Sequence, residues 1–258
     1  MLEYANIFQN KTVALVASAK YLDRFRFGSD IDSHDIVVRV NKGIDVLNND
    51  TSYKYGSRAD VLYHCMLEDP PESNGPKFGF IDVNKWIEKG VKNIFCLPES
   101  DMKGSCRGNF LSPAVNTESI KRVKKSAISL EIVDFQLYNQ LSEYTRCKPN
   151  TGIVALYHIL SANPKKLSTY GFSFLLDGWV KEYREGIQNL QESIDKNWNT
   201  IEEWEIRCLN SKRHIQKNQW KFVKSVNNQY SNFSPDPYME KILLMSDFKK
   251  ENLVEFNV

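Results

Sequence analysis

Lys11-Thr12-Val13-Ala14-Leu15-Val16-Ala17-Ser18-Ala19 is the stretch that decides the fold class. Two polar residues lead into an unbroken apolar run, and two small residues close it. A short continuous run of this kind suits a central parallel strand covered on both faces. Four further segments repeat the theme: Ile36-Val37-Val38-Arg39-Val40 ending at Asn41, Asp60 to Cys65, Val91 to Leu97 closed by Pro98, and Lys165 to Tyr170 ending at Gly171. Val83 to Lys89 is amphipathic, with Gly90 placed to cap it. Strands alternating with helical pieces at this spacing predict an α/β fold, a single Rossmann-like domain with a mostly parallel sheet flanked by helices.

Working outward, Lys20 to Phe27 reads as either helix or loop, and residues 99–116 as loop. Glu118 to Tyr144 carries helical periodicity, with Ile120, Val123, Ile128, Ile132 and Leu137 on the expected buried face. Ile153 to Leu160 reads as a buried helix whose cap is Asn150 or Thr151. The last third, about 179–258, is charged, helical and rich in tryptophan (Trp179, Trp198, Trp204, Trp220). Asp236-Pro237 marks a turn before a final short helix. With no fixed repeat and no low-complexity linker, residues 1–258 read as one domain.

Composition narrows the classes. Of 258 residues 41% are hydrophobic, enough for a large core, so a disordered chain is excluded. The 34 basic and 32 acidic residues leave a charge of +2, which excludes a histone-like protein. No apolar run reaches the roughly 18 residues of a membrane span, and Met1 to Asn6 has no signal-peptide pattern. The five cysteines (65, 96, 106, 147 and 208) are odd in number and widely spread, and read as reduced thiols. Together these predict a cytoplasmic protein without stable membrane insertion. Abundant asparagine and lysine suggest an AT-rich genome, bacterial or viral.

Ligands of open parallel sheets bind beyond the carboxyl ends of the strands. There the sequence places Ser18, Asn41 and Gly171-Phe172-Ser173, while Asn150-Thr151-Gly152 begins a helix, whose amides and dipole favour an anion. Taken singly, each reads more readily as a turn or cap; together they read as a nucleotide site. There is no Gly-x-Gly-x-x-Gly fingerprint, no phosphate loop, no Asp-x-Asp motif and no zinc-type Cys/His spacing, so no metal or cofactor is expected.

Gly28-Ser29-Asp30-Ile31-Asp32-Ser33-His34-Asp35, running into Arg39-Val40-Asn41, resembles the large motif of the eukaryotic-type sialyltransferases, glycosyltransferase family 29. Gly56-Ser57-Arg58 matches its Gly-Ser-Arg/Lys. Asn150-Thr151-Gly152 and Tyr170-Gly171-Phe172-Ser173 resemble the small motif. His214 with Gln219 echoes the very small motif, where the family has a glutamate at the second position. The blocks fall in the family's order over residues 11 to about 226.

The resemblance implies the family's variant of the GT-A fold and an inverting, metal-independent transfer from a CMP-sugar donor, sialic acid or Kdo-like, to a glycan. Asn41 and Ser18 would contact ribose or phosphate, Asn150, Thr151 and Gly152 the carboxylate or phosphate, and Gly171, Phe172 and Ser173 the cytidine. His214 would be the base, a role imidazole suits near neutral pH; beside Lys212-Arg213 it also reads as a solvated helix start. The helical last third would cover the acceptor side, core packing being the alternative for its tryptophans.

Three departures stand out. The family's first turn is Ala17-Ser18-Ala19-Lys20 here. Its histidine-containing motif is replaced by Trp179 to Tyr183, where Lys181 would neutralise the donor phosphate. Its first motif cysteine is absent, which predicts loss of the secretory disulfide. Of the other histidines, His34 reads as organising its turn, His158 as structural, and His64 as core or acceptor-side. Arg39 and Arg58 read as partners of acidic neighbours. Two other functions remain open: a transferase acting on DNA, with Lys103, Arg107, Lys121, Arg122, Lys124 and Lys125 on phosphates, and a nucleotide-binding module without catalysis, to which Gln219 lends support.

Overall fold

The computed structural model describes residues 7–66, 81–97, 113–180 and 214–249. The strands are β1 (Thr12–Val16), β2 (Ile36–Val40), β3 (Val61–His64), β4 (Asn93–Cys96), β5 (Ser129–Ile132), β6 (Lys166–Tyr170) and β7 (Phe233–Pro235). The helices are α1 (Gly28–Asp32), α2 (Ser52–Tyr55), α3 (Val83–Glu88), α4 (Pro113–Lys124), α5 (Phe135–Thr145), α6 (Thr151–Ser161), α7 (Gln216–Gln229) and α8 (Pro237–Leu244). Lys20–Arg24 and Asn41–Ile44 form 3-10 turns.

The sheet order is β5-β4-β3-β2-β1-β6-β7, and every pairing is parallel. The predicted α/β architecture is therefore the observed one. Aligned residues of neighbouring strands share a face. Val16, Arg39, Leu62 and Tyr170 fall on one side by register, the side of α1, whose following turn brings His34 Nε2 to 2.9 Å from Ser168 Oγ. Leu15, Val38 and Tyr63 fall on the other, where the Tyr63 hydroxyl and His158 Nδ1 of α6 are hydrogen-bonded at 2.8 Å. Coverage on both sides explains why Val13 to Leu15, Val37 and Val38 are completely buried, each valine or leucine side chain contributing ~1.5–3 kcal/mol.

Gly28 to Asp35, with Arg39 and Arg58, build the frame of this sheet. A side chain at Gly28 would put its first carbon 1.9 Å from the Ser52 carbonyl oxygen, so only glycine allows α1 and α2 to meet. Asp32 accepts from the Ser57 amide and hydroxyl, both at 2.8 Å. Asp35 accepts from the Thr12 amide at 2.8 Å and hydroxyl at 3.0 Å, which holds its carboxyl below the ordinary range. His34 Nδ1 faces the Asp30 carbonyl at 2.9 Å. That nitrogen must therefore donate, and Nε2 accepts from Ser168. Arg39 is fully buried and spends Nε and Nη2 on the Arg58 carbonyl at 3.1 and 3.0 Å. Burial lowers its guanidinium to about 9 against the pull of Asp32 and Asp60. Arg58 pairs with Asp60 at 3.1 Å. His34 and Arg58 thus hold structure as read, and Arg39 does so through a backbone carbonyl rather than by pairing with an acidic side chain.

Several local readings are corrected. The helix expected from Glu118 to Tyr144 is two helices with β5 between them. Ser126 Oγ bonds the Val123 carbonyl and receives the Ile128 amide, which ends α4. Ser129–Ile132 then pairs with the open edge of β4, and Asp134 caps α5 through the amides of Gln136 and Leu137. Long-range pairing overrides the local helical period here. Residues 113–116, read as loop, begin α4. The three-residue strand β7 was not anticipated; Pro235 fits because β7 is the edge strand. Trp220 is core, with its indole donating to the Ile242 carbonyl at 2.8 Å. Trp198 and Trp204 lie outside the described residues.

Candidate functional site

The chain leaves β1 toward β2 and returns on the opposite side as β6. The chain after β6 runs on to β7, away from β2, so the connections that follow these two neighbouring strands lead to opposite sides of the sheet, and an open sheet places its ligand crevice at such a point. Ser18 lies at the end of β1, Asn41 at the end of β2 and Gly171 at the end of β6, so Asn41 and Gly171 flank Ser18 by strand order.

Backbone bonds draw the first turn and the β6 loop together. The Ala17 amide donates to the Tyr170 carbonyl at 2.8 Å, Ala19 to Gly171 at 3.1 Å, and Val180 to Ser18 at 3.0 Å. Ala19 and Trp179 add an antiparallel bridge. Gly171 has φ of +77°, and a side-chain carbon there would lie 2.7 Å from the Ala17 carbonyl oxygen. The turn after β2 closes in as well: the position a Gly43 side-chain carbon would take is 3.3 Å from Ser18 Oγ. Asn41, at φ of +48°, uses its side-chain oxygen to receive the Cys65 amide at 2.9 Å, tying β2 to β3.

The second element is the start of α6. Asn150 is its cap, accepting from the Ile153 amide at 3.0 Å. The Asn150 amide in turn donates to the side-chain oxygen of buried Gln219 at 2.9 Å. Helix geometry leaves the amides of Thr151 and Gly152 without intrahelical acceptors. Gly152 faces Phe172, with the site of a side-chain carbon 3.1 Å from the ring. Ser18, Thr151, Phe172 and Ser173 are all buried. His214, at φ of +51°, donates its amide to the Lys148 carbonyl at 2.8 Å, two residues before the Asn150 cap. Its own carbonyl accepts from the Gln216 side chain at 2.9 Å. Lys181 lies outside the described residues.

Sequence reasoning missed a pair beneath this loop. The Tyr21 hydroxyl donates to Asp236 Oδ2 and receives the amides of Gly171 at 2.8 Å and Phe172 at 3.1 Å. Asp236 Oδ2 also faces the Gly171 amide at 3.1 Å, while Oδ1 caps α8 through Tyr238 and Met239, both at 2.9 Å. The Tyr21 ring stacks on Tyr238 at 4.1 Å. Burial raises the Asp236 carboxyl to about 6 despite these donors. It also pushes Tyr21 well above the ordinary phenol range, helped by Asp236. Asp236 was legible as a helix cap before Pro237; nothing local marks its second oxygen for a loop 65 residues away.

Other residues fall outside the crevice chemistry. The His158 ring packs edge-on against Phe95 at 5.0 Å, and burial lowers it to about 4. His64 is buried and receives the Met66 amide at 3.0 Å. Lys121 of the basic cluster pairs with Glu118 one turn earlier at 2.7 Å. Among the described residues no three His, Cys, Asp or Glu side chains are grouped to hold a metal, and no helix is long and apolar enough to cross a membrane.

No protein-family model matches the chain, and no curated protein matches its sequence. Solved structures do. The sialyltransferase CstII from Campylobacter jejuni, in complex with a substrate analogue, CMP-3FNeuAc, superposes with a TM-score of 0.50 at 12% identity, covering 87% of this chain and 81% of that one. The monofunctional alpha-2,3-sialyltransferase Cst-I from the same organism gives 0.49 at 11%, covering 96% and 83%. A mammalian sialyltransferase gives 0.42 at 17%, covering 79% and 67%. The chain has a sialyltransferase-like fold, established on the first of these superpositions.

Proposed function

We propose that the chain is an inverting glycosyltransferase of sialyltransferase type, taking a sugar from a CMP-linked donor to a glycan hydroxyl without a metal ion. The observation that carries this reading is the convergence at the sheet's switch point of the Ser18 turn, the Gly171–Ser173 loop and the start of α6, with His214 anchored beside the last. The Campylobacter protein that shares the fold was solved with a CMP-sugar analogue, which supports the same donor class.

In this reading the amides of Thr151 and Gly152 receive the donor's phosphate or carboxylate, and the helix dipole offsets the charge that grows on departing CMP. Ser18 and Asn41 contact phosphate or ribose. The amides of Gly171 and Phe172 are held by Tyr21 and Asp236, so that loop lines the cytidine with its ring and carbonyl groups. The acceptor oxygen bonds to the anomeric carbon, its proton passes to His214, and the bond to the phosphate oxygen breaks with its electron pair leaving on CMP. Residues 1–258 act as one domain, and the last third covers the acceptor side.

A thermal-shift panel of CMP, CDP, UDP and GDP tests the donor. A ligand at 100 times its Kd stabilises by about 2.7 kcal/mol, and the expected result is selective stabilisation by CMP. Preference for UDP would overturn the assignment. His214→Ala should keep CMP affinity and lose turnover by ~100-fold or more; full turnover in that variant would remove His214 as the base.

A further inference from the structure

Three remote segments meet at one buried point behind the crevice: the 3-10 turn after β1 through Tyr21, the loop after β6 through two amides, and the edge between β7 and α8 through Asp236. We infer that Tyr21 and Asp236 are a positioning pair for the donor site, setting the Phe172 wall against both the Ser18 turn and the start of α6. The inference rests on the CMP-donor reading above and names residues that neither the motifs nor the strand-end rule single out.

The geometry gives the pair leverage. Tyr21 is completely buried and Asp236 nearly so, and their oxygens are the acceptors of consecutive amides at the bend where the chain leaves β6. One residue past the first of those amides is the ring that touches Gly152. On the other side, Gly171 presses on the Ala17 carbonyl just before Ser18. A displacement of the bend therefore moves the ring relative to the Thr151 and Gly152 amides and relative to Ser18 together. Downstream, Phe174 and Leu175 both have positive φ, at 50° and 64°. Such backbone persists only where its surroundings over-determine it, and the paired oxygens supply that constraint at the loop's origin. A buried acid is also a costly way to hold a bend; tightly fixed geometry at a ligand wall accounts for its use.

The test is Tyr21→Phe, which keeps the ring and its stacking on Tyr238 and deletes the oxygen. CMP and UMP affinities are measured by calorimetry below the variant's melting point, alongside amide exchange at Gly171 and Phe172. The expected result is faster exchange at both amides, about tenfold weaker CMP binding and a reduced preference for CMP over UMP. Asp236→Asn keeps the α8 cap and should weaken CMP in the same direction, which covers the case of a Tyr21→Phe chain that does not fold. Folded variants that lose amide protection yet bind CMP as tightly and selectively as the unaltered protein would overturn the positioning role and leave the donor reading standing. An unaltered protein that does not bind CMP would overturn both.

Discussion

Two buried titrating groups pull the acid stability of this fold in opposite directions, and single substitutions should separate them. His158 sits among Phe8, Tyr63 and Phe95, and burial takes its pKa from 6.5 to about 4. Between those values the unfolded chain holds the extra proton, so stability is lost as pH falls. Asp236 is raised by burial from 3.8 to about 6. There the native state holds the extra proton, so stability is gained as pH falls through about 6. At about 1.36 kcal/mol per pKa unit, each effect amounts to about 3 kcal/mol when complete. From pH 7 to 4 the two nearly cancel. Asp236→Asn removes the gain, and on acidification it should lose about 2–3 kcal/mol more than the unaltered protein. His158→Phe removes the loss; it leaves the Tyr63 hydroxyl without this hydrogen-bond partner, a cost independent of pH over this range, and should gain about 2–3 kcal/mol relative to the unaltered protein over the same span. Urea unfolding at half-unit steps of pH reads both, because surface carboxylates common to all three proteins cancel in the differences. Difference curves flat to within about 0.5 kcal/mol would refute the linkage.

Gly171→Ala forces a non-glycine residue to φ of +77° with its side-chain carbon 2.7 Å from the Ala17 carbonyl oxygen. It should cost at least ~1–2 kcal/mol in urea unfolding; an unchanged midpoint would contradict the described bend. Arg39→Met strips the Arg58 carbonyl of two donors, so a loss of ~1–3 kcal/mol is expected from the same assay. His34→Phe deletes the bridge from the Asp30 carbonyl to Ser168 and should lower stability by ~1–3 kcal/mol in urea unfolding; an unchanged midpoint would contradict the bridge.

The sheet was legible because its central strands advertise themselves. Val13 to Val16 and Val37 to Val40 are buried, and burial on both faces writes an apolar run, broken here only by Arg39. Edge strands do not: Ser129–Ile132 is half exposed and polar at alternate positions, and its neighbours' helical period absorbed it. β7 is three residues long and contains proline, so only its pairing with β6 makes it a strand. In the candidate site, Ser18, Asn41, Asn150 and Gly171 were legible because strand ends and helix caps demand small or capping residues locally. Tyr21 and Asp236 were not, because their roles arise from contact across 215 residues.

The most recognisable block of the sequence is not the crevice itself. Gly28 to Asp35 is unusual as a string because its side chains are committed to fixed intramolecular partners: Asp30 to Tyr170, Asp32 to Ser57, His34 to Ser168 and Asp35 to Thr12. Those partners lie on β1, β6 and the loop before β3, so the block fastens together the strands whose far ends make the switch point. Tyr170 shows the connection in one residue. Its hydroxyl reaches back to Asp30, while its carbonyl receives the Ala17 amide at the crevice mouth. The Gly28–Asp35 block and the Gly171 loop are therefore coupled through β6. A lesion in the motif reaches the site by loosening the strand that carries Gly171, rather than by removing a ligand contact.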